Sequence, residues 1–406
     1  MRLIPERTAR ANERLNMNPD DPRISTSARQ VQPFLAMEIF ERSQELERQG
    51  IDIVHLEVGE PDFSVPACVD RAISKAVEGG HTHYTHSLGR YDLREEIASY
   101  YKRRYEVNID PGRVLVTGGT SGALVLLMAL LLEPGDEILL PNPGYACYDN
   151  FVLTFHGKPT GYEVPASTGF RYDPKLIGKL VNKRSKGILI NSPSNPTAAV
   201  QDHDTLEQIA ALGVPVISDE IYHGLEYGGA DARAVSMLEV TDDCFVVDGF
   251  SKRHAMTGLR VGWLVAPEDL VAPLQRLQQN LFVCASSLAQ TAAIAALREG
   301  EEALTAMTEQ YKRRREVLYN GLLELGFPIP CKPMGAYYIF ARADHLDDDS
   351  LRLAKRILEE AHVGVAPGID FGSRAEGWLR FSFANDLESI NEALRRLKKW
   401  LPRSEG

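Results

Sequence analysis

Lys252, preceded by Ser251, stands eight residues before Arg260 across a stretch containing Met256-Thr257-Gly258-Leu259. A lysine amine condenses with a carbonyl to give a Schiff base, and an arginine grips a phosphate through two parallel hydrogen bonds. Both residue types are common on surfaces, so the pair gains weight only from what accompanies it. Thr117-Gly118-Gly119-Thr120-Ser121-Gly122-Ala123 joins a strand-like run to an apolar, helix-like one. Glycines such as Gly119 allow close backbone approach, and the N-terminus of the following helix offers unpaired N–H groups to an anion. Thr120 and Ser121 add hydroxyls. Neither a Walker A loop nor a dinucleotide fingerprint is present, which leaves a single phosphate site or a tight turn with an N-cap.

Asp219-Glu220-Ile221-Tyr222 follows the apolar run Val214–Ser218, so Asp219 falls at a strand end. A carboxylate there can pair with a pyridinium nitrogen, and Tyr222 can donate to a phenolate oxygen. Asn195, inside Asn191-Ser-Pro-Ser-Asn-Pro-Thr197, can share that oxygen. The plainer alternatives are a helix cap for Asp219 and a turn for Asn195-Pro196. One cofactor joins an aldehyde to a phosphate through such a ring: pyridoxal phosphate.

The elements that must position these residues alternate. The apolar runs Val114–Thr117, Glu137–Leu140, Gly187–Asn191, Val214–Ser218, Phe245–Asp248 and Val261–Ala266 have the length of strands. Helix-like segments lie between several of them, which implies an α/β fold with a mostly parallel sheet covered by helices on both faces. In such sheets ligands gather beyond the carboxyl ends of the strands. Leu35 to Gln49 has helical spacing up to Gly50, and a long helical segment runs from Glu301 to Leu325. Its basic run Arg313–Arg315 is expected on a solvated face. Tyr337–Ala341, Trp378–Phe383 and a closing helix with Ile390, Leu394, Leu397 and Leu401 at core spacing form a final unit. The expected division is an N-terminal arm (1–30), a large domain (60–300) and a smaller α+β domain (31–59 with 301–406).

Composition narrows the function. Forty-five Lys and Arg against 56 Asp and Glu give a net charge of −11, which disfavours a nucleic-acid surface. Five scattered cysteines form no C-x-x-C pair, so neither a zinc ribbon nor a disulfide framework is indicated, and a reducing, cytoplasmic compartment is expected. The start lacks the apolar core of a signal peptide, and the longest apolar run, Ala123 to Leu132, is half the length of a membrane span.

In order, the chain carries Gly59-Glu-Pro-Asp-Phe63, Tyr84-Thr85 with Gly89, Gly118-Gly-Thr-Ser-Gly122, Pro143-Gly-Tyr145 and Asn195-Pro-Thr197. Asp219-Glu-Ile-Tyr222, Ser251-Lys252, Met256–Arg260 and Arg380-Phe-Ser382 complete the set. From about Ile53 to Phe383 the sequence resembles the class I aminotransferases of pyridoxal-phosphate fold type I, in the subgroup of aspartate, alanine and aromatic aminotransferases. The resemblance implies that Lys252 is the Schiff-base lysine, that Asp219 partners the ring nitrogen, and that Asn195 and Tyr222 bind the ring oxygen. It further implies that Tyr145 stacks on the ring, and that Gly119, Thr120, Ser121, Ser251 (or Gly249) and Arg260 hold the phosphate. Arg380 is implied as the clamp on the substrate α-carboxylate, with backbone near Gly59 closing over it. Tyr84 is implied to reach the phosphate of a second subunit, giving a homodimer with shared sites. The implied reaction moves an amino group from an L-amino acid to a 2-oxo acid in two half-reactions.

Two features depart from the family pattern. Ala198 stands where the usual residue is glycine, and His81-Thr-His83-Tyr-Thr-His86 is rich in histidine. No carboxylate or helical periodicity accompanies these histidines, so no metal is expected, and His86 is placed at the substrate entrance instead. Tyr148, one turn beyond Tyr145, is expected behind Asp219. Two other readings stay open: a fold-type-I β-lyase using the same cofactor, and a regulator's sensor domain, which the acidic charge and the missing helix-turn-helix pattern disfavour.

Overall fold

The computed structural model describes residues 21–228 and 233–401. Most of the expected arm, residues 1–20, lies outside them; the rest of it includes the short helix Thr26–Gln30. Among the described residues there are twelve strands: β1 (Val54–His55), β2 (Val114–Thr117), β3 (Glu137–Asn142), β4 (Lys158–Glu163), β5 (Ser185–Asn191), β6 (Val216–Asp219), β7 (Cys244–Gly249), β8 (Gly262–Val265), β9 (Tyr338–Arg342), β10 (Val363–Gly364), β11 (Ala366–Pro367) and β12 (Trp378–Ser382). Among the described residues, no helix is long and apolar enough to cross a membrane.

Seven strands form the main sheet in the order β2-β8-β7-β6-β5-β3-β4. β6 and β7 are buried at every position, as expected for strands covered on both faces. The helix Gly119–Leu131 covers one face and buries Ala123, Leu124, Leu126, Leu127 and Met128. On the other face, Tyr91–Tyr105 buries Leu93, Ile97 and Tyr101, the stripe expected from their spacing.

β8 is the exception to parallel order, running antiparallel to both β2 and β7. A lone apolar run reads the same in either direction, so its sequence does not reveal this. The reversal has a consequence for the site. β7 ends at Gly249 opposite Gly262 at the start of β8, so residues 250–261 leave and re-enter the sheet at one edge. Parallel β2, β3, β5, β6 and β7 end at that same edge. A Cβ on Gly262 would lie 2.7 Å from Asp248 O and 3.1 Å from Gly119 C, so only glycine lets these backbones approach. β4 was not expected. It is a largely polar edge strand, and Pro159 is tolerated there because an edge strand needs fewer ladder donors.

A second core unites the N-terminal and C-terminal segments. β11-β12-β9 form an antiparallel sheet, and β1 pairs in parallel with β10. Ile39, Leu46, Leu56, Phe381, Ile390 and Leu397 pack together there, joined by Ile221, Tyr222, Leu225 and Tyr227 from beyond β6. The helix Glu301–Glu324 also joins it, and the expected solvated face is corrected there. Arg314 and Arg315 are buried at 5% exposure each. Arg314 makes a two-pronged bond to Asp62 (2.6 and 2.9 Å) and lies over Phe63, while Arg315 donates to the carbonyls of Pro333 and Tyr227. A run of three arginines on a helix cannot all face one way, and two of these point inward.

Candidate active site

The strand ends converge on a cavity of about 300 Å³. Gly59, Thr120, Ser121, Tyr145, Asn195, Asp219, Tyr222, Ser251, Lys252, Arg260 and Arg380 all line it. Gly119 sits just behind. Its backbone adopts φ +76°, and a Cβ there would lie 2.9 Å from Arg260 Nη2, so glycine makes room for the guanidinium. Tyr84 does not line the cavity; it is 84% exposed.

Lys252 Nζ donates to Gly59 O at 2.7 Å, and Tyr337 OH donates to the same carbonyl at 2.9 Å. Burial lowers the lysine pKa to about 8, with Arg380 and Arg260 adding to that and Glu60 and Asp219 opposing it. Asp219 is the last residue of β6. Its Oδ2 accepts from Tyr148 OH at 2.6 Å and its Oδ1 from Ile221 N at 3.2 Å, so Tyr148 stands where it was expected. Burial raises the Asp219 carboxyl to about 6, against the lowering pull of these two donors and of Lys252. Among the described residues no arginine or lysine forms an ion pair with it. Asn191 Nδ2 donates to Asp219 O (2.9 Å) and its Oδ1 accepts from Asn195 N (2.8 Å), which ties the ends of β5 and β6 together.

Arg260 has a left-handed backbone (φ 51°), which turns it back toward the glycine loop. Its Nη1 donates to Thr257 O at 2.9 Å, and among the described residues no carboxylate pairs with it. Arg380, on β12, is buried at 2% exposure. Nη1 donates to Asn195 Oδ1 at 3.0 Å and Nη2 to Glu57 O at 2.5 Å, while the guanidinium lies 4.3 Å from the Tyr338 ring centre. Arg380 Nε is buried without a partner. A buried cation held by neutral acceptors, with a donor to spare, suits an anionic ligand.

Several wall residues were not anticipated. Tyr338 exchanges a hydrogen bond with Tyr222 (2.9 Å), and Phe34, Met37 and Glu57 also line the cavity. The Tyr337-Tyr338 pair at the start of a strand was the one available signal. Ala198 sits at φ 57° where glycine would be unstrained, and its carbonyl accepts from Met334 N and Gly335 N. His81, His83 and His86 are exposed and do not come together as a ligand group among the described residues. His86 is not part of the cavity wall; its Nδ1 accepts from Leu88 N at 3.2 Å.

A lysine, a carboxylate and two arginines on one cavity at the carboxyl edge of a mixed α/β sheet define an enzyme that handles small anionic substrates. The match to known proteins is specific. Residues 51–397 fit the family model "Aminotransferase class I and II", and the chain belongs to that family. It is 37% identical over 371 residues to the (5-formylfuran-3-yl)methyl phosphate transaminase of Methanocaldococcus jannaschii, covering 91% of this chain and 96% of that one. It is 33% identical to aromatic-amino-acid aminotransferase 2 of Thermococcus litoralis, over 93% of this chain and 98% of that one. Among solved structures, the aspartate aminotransferase of Thermus thermophilus with maleate matches with a TM-score of 0.88 at 33% identity, covering 93% of this chain and 99% of that one. The chain is an aminotransferase with amino acid and keto acid substrates, and its family uses pyridoxal phosphate.

Proposed function

We propose that the cavity binds pyridoxal 5'-phosphate and that Lys252 is both its covalent anchor and the base of the transamination. Four groups lining one cavity support the reading: an amine held at a depressed pKa, a buried carboxylate without an ion pair, and two arginines without carboxylate partners. When bound, the cofactor supplies an aldehyde and an electron-withdrawing ring. Arg260, Ser251, Thr120, Ser121 and the backbone at Gly119 hold its phosphate, at the N-terminus of the helix Gly119–Leu131. Asp219 holds the protonated ring nitrogen, with Tyr148 fixing the carboxylate. Asn195 and Tyr222 bind the ring oxygen, and Tyr145 covers a ring face.

Arg380 grips the substrate α-carboxylate, with backbone at Gly59 beside it, and so fixes which bond of Cα faces Lys252. Lys252 Nζ takes the Cα proton; lowering its pKa from 10.5 to about 8 leaves far more of the amine neutral near pH 7 than for an ordinary lysine. Two copies of the chain share their sites through exposed Tyr84, which extends from one copy to the phosphate of the other. The same reading keeps residues 60–300 as a large domain, 31–59 with 301–406 as a small one, and a cytoplasmic setting. Replacing Lys252 with alanine should lower turnover at least about 10⁴-fold. Wild-type turnover in that variant would end the assignment.

A further inference from the structure

We propose that His223 is a positioning residue, which clamps the turn carrying Tyr222 to the loop carrying Asn195 so that both donors meet at one oxygen of the cofactor ring. The proposal rests on the roles given above to Asn195 and Tyr222. His223 is buried and does not line the cavity. It acts from behind, through hydrogen bonds between the two segments. Asn191 Nδ2 donates to Asp219 O at the strand ends (2.9 Å), and His223 Nε2 donates to Ser192 O beyond them (2.8 Å). Asn195 Oδ1 is already taken by Arg380 Nη1, which leaves the amide's N–H groups to serve the ring.

The bond to Ser192 O exists in only one form of the imidazole. A carbonyl oxygen only accepts, so Nε2 must carry the proton and Nδ1 must offer its lone pair. Two groups compete over that choice. Tyr105 OH lies 2.7 Å from Nδ1, and Glu220 Oε2, buried with no hydrogen-bond partner, lies 3.5 Å from the same nitrogen. A proton on Nδ1 would serve Glu220 and leave a lone pair facing Ser192 O. Arg104 decides against that form. Its Nε donates to Tyr105 OH at 3.1 Å while its Nη2 pairs with Glu226 at 3.0 Å, so the tyrosine's own proton points to Nδ1. Arg233 lies over the same tyrosine ring. Burial, with Arg104 and Arg233 adding to it against the pull of Ser192 O, lowers the imidazole to about 3, so the ring is neutral near pH 7. Donors thus run one way, from the Arg104–Glu226 pair through Tyr105 and His223 to the Ser192 carbonyl.

Two readouts separate this role from plain packing and from the cofactor assignment. In cofactor-free protein, amide hydrogen exchange across residues 194–199 should speed up at least about tenfold in His223→Leu. It should stay near wild type in His223→Gln, whose amide still donates to Ser192 O. With pyridoxal 5'-phosphate bound, donors to the ring oxygen weaken its hold on a proton at the adjoining Lys252 nitrogen, and losing their aim keeps that proton on to higher pH. The pH midpoint of the visible band should therefore rise by at least about 0.5 in His223→Leu. It should rise by less in Tyr105→Phe, which frees the tautomer by removing one hydroxyl. Unchanged exchange in His223→Leu, an unchanged midpoint in both variants, or a shift in His223→Gln as large as in His223→Leu would overturn the proposal. If His223→Leu fails to fold, a shift in Tyr105→Phe against an unmoved His223→Gln upholds it, and no shift in Tyr105→Phe overturns it. Faster exchange in His223→Leu beside a wild-type protein with no visible band would uphold the link between the two segments and overturn the cofactor assignment instead.

Discussion

The wall of the cavity made by the main sheet and the wall made by the second core are assembled in opposite ways. Lys252, Asp219, Asn195, Tyr145 and the Gly118–Gly122 loop each lie at or just beyond the end of a parallel strand, and Arg260 lies just before antiparallel β8. The adjoining strand end places the backbone of each, while Tyr148 and Gly59 bond Asp219 and Lys252 from 71 and 193 positions away. The opposite wall joins segments far apart in sequence: Arg380 to Glu57 across 323 positions, Arg380 to Asn195 across 185, and Asp370 to Leu35 across 335. The sheet wall carries the proposed cofactor chemistry, and the far wall carries the proposed recognition of substrate. A motif preserved locally keeps chemistry constant, whereas a composite wall lets specificity change by moving any one of several segments.

If that division holds, damage to the two walls should separate in kinetics. The largest effect belongs to the sheet wall. Asp219→Asn keeps the shape but removes the charge, and kcat should fall about 10²- to 10³-fold, with a changed cofactor absorption spectrum as a second readout. An unchanged kcat would remove Asp219 from the chemistry. Next, Arg380→Met should raise KM for the amino donor roughly 30-fold or more, since truncating a buried hydrogen-bonded charge costs about 2–5 kcal/mol of binding. Cofactor content should stay at the wild-type level. Loss of cofactor in that variant would mean the walls are not separable.

The smallest effect concerns how the far wall is braced. His55 Nδ1 contacts buried Glu57 at 2.7 Å and Nε2 contacts Glu47 at 3.0 Å. Burial alone would lower the imidazole, but Glu57 and Glu47 overcome that and raise it from 6.5 to about 9. A folded-state pKa above the unfolded one means stability fully present below about 6.5 and lost as pH rises through 9. The difference in urea midpoint between wild type and His55→Gln should therefore shrink from pH 6 to pH 9.5. A constant difference would show that the imidazolium charge does not brace the wall.

The legible part of the molecule follows the same line. The strands of the main sheet and the residues after them could be read from contiguous apolar runs followed by chemically distinctive side chains, and the mostly parallel α/β architecture came with them. The antiparallel course of β8 could not be read, because direction depends on the neighbour chosen. β4 was hidden because an edge strand needs little apolar character. Arg314 looked solvated because its partner Asp62 lies 252 residues away; nothing local marked Glu57 for the cavity wall, or Asp370 as the cap of the helix Leu35–Arg48. Tyr148 was found because it lies one turn from Tyr145, within reach of local reasoning.

The most direct measurement is chemical. Purified protein supplied with pyridoxal 5'-phosphate, reduced with borohydride and digested, should carry a single pyridoxyl label on the peptide containing Lys252. A label on another lysine, or protein that stays colourless and unlabelled, would contradict the assignment of the amine at the end of β7.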